Sequence, residues 1–165
     1  MATTYEPIAT TTGTGASGTV SFTSIPSTYT DLIMVFDGAV ASGGTAGLDF
    51  TINNVTAGNL YSYTRLQGNG TAASSARASS QNSGSFGFVS SSNRSMSILN
   101  IMNYSNTTTF KTAIARSLTH DATDGRVGAY VTLYQGTGAV NRLDIIATQN
   151  FTTASTFTLY GIKAA

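Results

Sequence analysis

The chain of 165 residues carries 8 basic and 7 acidic side chains, a formal net charge of +1, and only 9% of its residues are charged. The cations stand singly, at Arg65, Arg77, Arg94, Lys111, Arg116, Arg126, Arg142 and Lys163, so no basic run is available to neutralise a row of phosphates and nucleic acid is not an expected partner. With no cysteine there is neither a disulfide framework nor a thiolate metal site, and the longest strongly apolar run, Leu32 to Phe36, is too short to cross a bilayer.

Neutral polar residues take the place of the missing charges: 28 Thr, which favours strands, and 20 Ser, which favours turns, with 17 Gly scattered rather than periodic. This composition predicts an all-β chain, and its length suits one domain that buries roughly 70% of the surface its unfolded chain would expose. The first seven residues lack a basic segment followed by an apolar one, so a secretory signal is not expected there.

Residues 1–17 hold two apolar anchors, Tyr5 and Ile8, ahead of a Thr- and Gly-rich stretch, and are predicted to be an extended N-terminal arm held by a neighbouring subunit; residues 18–165 form the single domain. Val20 and Phe22 begin the first alternating strand, which ends at Pro26 because proline cannot donate to a ladder. Thr30 to Gly38 holds a continuous apolar run bounded by turn signals and suits a strand buried on both faces. Leu48, Phe50 and Ile52 alternate with Asp49 and Thr51 in a strand with one wet face.

Leu60 to Leu66 is extended or a short helical turn, and places Tyr61, Tyr63 and Arg65 on one side. Thr71 to Ser85 shows no apolar periodicity and reads as a long polar loop, a length that in a compact domain tends to be functional. Strands are next predicted around Phe86–Val89, Met96–Asn103 and Phe110–Leu118, the second of them apolar on much of both faces. Asp124-Gly125 is a hairpin signal leading into Val127–Tyr134. Val140–Ala147 and the closing stretch Thr156–Lys163 complete nine or ten strands. In the closing strand Phe157, Leu159 and Gly161 share a face, and it must pair back onto earlier strands. The predicted architecture is a two-sheet antiparallel β-sandwich of jelly-roll type.

Candidate chemistry is sparse. The one histidine, His120, lies beside Asp121 and Asp124 in what reads as an exposed hairpin tip, which suits neither a Ser-His-Asp site nor a calcium loop rich in oxygen ligands. Asp37 and Asp49 are conceivable as a glycosidase pair only if their strands bring them across a cleft. Gly68-Asn69-Gly70 precedes no helix and is a turn rather than a phosphate cradle. No catalysis, cofactor or metal is therefore expected. Tyr61, Tyr63 and Arg65 suit either an aromatic platform for a sugar or protein partner, or a tyrosine ladder inside the sandwich.

The stretches Tyr5-Glu6-Pro7-Ile8-Ala9-Thr10, Phe22 to Leu32, Tyr61 to Gly70 with Arg77 to Gln81, and Phe157 to Lys163 together resemble structural proteins of tailed bacteriophages, including phages of cyanobacteria, over nearly the whole chain. The resemblance implies a virion protein, made in the host cytoplasm: a capsid decoration (cement) protein, or alternatively a tail- or fibre-associated module that binds a glycan or host receptor. The absence of heptads and shaft repeats favours decoration. The expected partners are the major capsid protein and copies of the chain itself, as a homotrimer, with no membrane involved. Tyr5, Glu6, Ile8, Tyr61, Tyr63, Arg65, Asn69 and Arg77 are the candidate partner-binding residues.

Overall fold

The computed structural model describes residues 4–121 and 125–163, and among them there are twelve strands and no helix. In chain order they are β1 (Tyr5–Thr12), β2 (Thr19–Phe22), β3 (Asp31–Gly38), β4 (Thr45–Ile52), β5 (Tyr61–Gly68), β6 (Ala73–Gln81), β7 (Gly84–Ser90), β8 (Ser95–Met102), β9 (Lys111–His120), β10 (Gly125–Tyr134), β11 (Leu143–Ala147) and β12 (Thr156–Ile162). Two antiparallel sheets result. Eight strands run β1-β12-β3-β8-β9-β10-β5-β6, and four run β2-β11-β4-β7. The expected β-sandwich is therefore present, with unequal sheets.

Alternation explains which residues lie between the sheets. In β3, Leu32, Met34 and Phe36 are buried while Ile33, Val35 and Asp37 are half-exposed, so the run predicted to be buried on both faces has one dry face only. Leu48 and Phe50 of β4, Leu143 and Ile145 of β11, and Phe157 and Leu159 of β12 fill the same core. Phe36, Phe151 and Phe157 pack ring to ring with centroids 4.9–5.8 Å apart. The closing strand pairs backwards as expected, lying between β1 and β3. Strand β7 comes very close to the large sheet: at Gly87, whose φ is +152°, an added Cβ would lie 2.7 Å from Ser117 Cβ. The residues it faces there, Ser97 and Ser117, are correspondingly small.

Two expectations need correction. Residues 5–12 are not a free arm but a strand of the chain's own sheet: β1 pairs with β12 from Tyr5↔Ile162 to Thr12↔Thr156, with a bulge between Pro7 and Ala9. Residues 73–81 are not loop but strand β6, paired with β5 from Gly68↔Ala73 to Tyr61↔Gln81. Both are the edge strands of the large sheet. An edge strand with little burial on either face is held by its ladder, and no apolar alternation is required of it. The β9–β10 hairpin forms as predicted, with Gly125 opposite His120, while Asp124 lies outside the described residues.

Candidate interaction surface

The outer side of the small sheet is polar. Ser21, Asp49, Thr51 and Asp144 lie on it, and Asp144 is tied down by Arg142 at 2.9 Å, by the Ser21 hydroxyl at 2.5 Å and by Thr51 at 3.3 Å. The outer face of the large sheet is different. Its side chains form rows across the strands, fixed by the register. One row reads Asp37, Met96, Leu118, Val127, Gly68. The next reads Val35, Ile98, Arg116, Ala129, Leu66, Ser75. A third reads Ile33, Asn100, Ile114, Val131, Thr64, Arg77.

Seven large aliphatic or thioether side chains of this face, Leu66, Met96, Met102, Ile114, Leu118, Val127 and Val131, leave between 37% and 61% of their surface exposed. Two cations, Arg116 and Arg77, stand among or beside them. Two shallow depressions open on this face. One open depression of about 750 Å³ is bounded by Leu66, Ser75, Arg116, Val127 and Ala129, and a second of about 600 Å³ by Thr64, Arg77, Thr112, Val131 and Leu133.

The candidates named from sequence fall in four places. Tyr5, 58% exposed, and Arg77 lie on this outer face at its two ends. Tyr61, Tyr63 and Arg65 do share a face, but it is the inner one. Tyr61 is buried, its hydroxyl accepting the Ile52 N–H at 2.8 Å and donating to the Val55 carbonyl at 3.2 Å, and burial raises its pKa. Arg65 covers the Phe88 ring at 5.6 Å. A tyrosine so enclosed cannot stack on a sugar, so the platform expectation is corrected in favour of the internal ladder, in which Tyr61 packs against Tyr134 with centroids 4.8 Å apart.

Glu6 and Ile8 likewise turn inward. Glu6 accepts from Lys163 at 2.8 Å and from the Tyr29 hydroxyl at 3.2 Å, and Ile8 packs against the core. Asn69 closes its own turn, with Oδ1 accepting from Thr71 N at 3.2 Å and Ala72 N at 2.9 Å. Among the described residues no catalytic constellation joins the acids. Asp37 is in the large sheet and is paired with Arg94 at 3.0 Å, whereas Asp49 is in the small sheet beside Ser83, so they are not a facing pair. His120 is exposed beside Asn93, and no group of three or more potential metal ligands occurs among the described residues. Of the two acids beside His120, Asp124 lies outside the described residues and Asp121 accepts from Thr45 at 2.7 Å.

Sequence reasoning missed the aliphatic face itself. The signal was available: β8, β9 and β10 place apolar residues on both parities, Ile114 and Leu118 on one side of β9 and Ala113 and Ala115 on the other, although a sandwich gives each sheet one covered face.

No protein-family model matches the chain, and no curated protein matches it. Among solved structures it is similar to the alginate lyase Aly36B, at 10% identity and a TM-score of 0.32, over 81% of this chain and 68% of that one. It is similar also to a variant of that lyase in complex with alginate tetrasaccharide, at 9% identity and a TM-score of 0.32, over 83% and 72%.

Proposed function

We propose that the chain is a structural protein of a virus particle, a capsid decoration protein that binds adjacent subunits of the major capsid protein and stabilises the shell. The observation that carries this reading is the aliphatic outer face of the large sheet. A broad, weakly charged aliphatic surface suits adhesion between subunits, since contiguous exposed apolar area of this kind marks interaction sites. The sequence resemblance to structural proteins of tailed bacteriophages supplies the setting. The chain works as a homotrimer at three-fold or quasi-three-fold positions, where many weak symmetric contacts add through effective concentration. The two sheet edges, β1 with exposed Tyr5 and β6 with Arg77, are the proposed capsid contacts.

The test is reconstitution. Purified protein is mixed with shells made without it, and bound copies are counted after sedimentation, with a glycan array run in parallel. Saturable binding in multiples of three per site, with a shell that withstands higher temperature, is the expected result. Tight glycan binding with no uptake by shells contradicts the reading.

A further inference from the structure

We infer that the outer face of the eight-stranded sheet is buried against a second copy of this chain. The inference does not depend on the virion reading: copies can pair whether or not a shell is their target.

The argument starts from the contrast between the two outer faces. The polar groups on the outer side of the small sheet are satisfied by one another, Asp144 by Ser21 and Thr51, whereas the large sheet leaves Leu66, Ile114, Leu118, Val127 and Val131 exposed. The seven exposed side chains sum to on the order of 600 Å² of apolar surface, the upper end of what a monomer's largest patch presents. With Thr64, Thr112, Leu133 and the two arginines between and beside them, one side reaches about the 800 Å² of a standard interface.

The composition selects the occupant. Interfaces that form transiently are about as polar as the rest of the surface, while those between copies of one chain are more apolar in their buried centre. Glycan recognition needs exposed rings, and the exposed large residues in the centre of this face are aliphatic or thioether. Two such sheets can stack about 10 Å apart with their rows interleaved.

The charges fit as well. The face carries both Arg116 at its centre and Asp37 two strands away, where Arg94 occupies only Oδ1 in the described contacts. A second copy therefore brings a carboxylate as well as a guanidinium to this face.

The test is sedimentation equilibrium of the full chain at micromolar concentration, with Leu118→Asp, Val131→Asp and, as a control on the small sheet's outer face, Thr19→Asp. All three positions are at the surface, so the fold should survive, which circular dichroism checks. The expected result is a dimer or trimer of the 17.0 kDa chain that Thr19→Asp preserves and both other variants reduce to monomer. A wild-type protein that sediments as a monomer overturns the inference. So does an oligomer that survives both Leu118→Asp and Val131→Asp, because association then uses another surface.

Discussion

The ring of Tyr29 lies directly against Gly161, where an added Cβ would come within 2.3 Å of the ring's Cγ. Gly161 is on the inner side of β12, and the ring over it holds two other groups: its hydroxyl donates to Glu6 at 3.2 Å, and Lys163 Nζ sits 5.6 Å from its centroid. Glycine at 161 is thus a matter of space. Gly161→Ala must push the ring away, at about 1–3 kcal/mol, the usual cost of overpacking. Urea denaturation checks this, and a double-mutant cycle with Tyr29→Ala is expected to show that most of the loss vanishes once the ring is gone. Additive losses would mean that the two residues do not act through each other.

Lys111 is a buried ammonium with no carboxylate partner among the described residues. Its Nζ donates to three backbone carbonyls, of Asn106 at 2.6 Å, Thr109 at 2.8 Å and Thr137 at 3.0 Å, which ties the β8–β9 loop to the segment after β10. Lys111→Met keeps much of the side chain's volume but leaves those acceptors without their donor, and is expected to cost about 3 kcal/mol. A midpoint of denaturation within error of wild type would show that water replaces the ammonium fully.

The contrast between what was readable in the sequence and what was not follows from burial. Strands with one dry face, such as β4 with Leu48 and Phe50 or β12 with Phe157 and Leu159, announce themselves by alternation. Strands β1 and β6 do not, because an edge strand such as Ala73–Gln81 is held by backbone bonds that any Ser- and Ala-rich segment can make. The alternation of Tyr61, Tyr63 and Arg65 was legible, but alternation says only that residues share a face, never which face is inward. That choice was made by Phe88 and Tyr134, from strands far along the chain. The aliphatic outer face was written in β8 to β10 as apolar residues on both parities, a pattern that also describes a central buried strand.

Asp49 makes stability depend on pH. Burial raises its pKa above the ordinary 3.8, against the lowering effect of hydrogen bonds from Ser85 and Ser83. A raised pKa means that the folded state holds the proton to higher pH than the unfolded state does. The stabilising contribution is therefore full below 3.8 and is lost as pH rises through the folded value, so at neutral pH the ionised carboxylate is a cost. Asp49→Asn is expected to raise stability at pH 7 and to flatten the profile between acid and neutral pH. If the variant is less stable at neutral pH, the serine hydrogen bonds outweigh desolvation and the sign is reversed.

The proposal that this chain decorates the capsid of a virus particle is tested most directly by locating the chain in purified virions by electron microscopy with a label attached at Ala165. The account predicts label at regular positions over the capsid surface, grouped around three-fold or quasi-three-fold points. Label confined to the tail, or absent from intact particles, would contradict it.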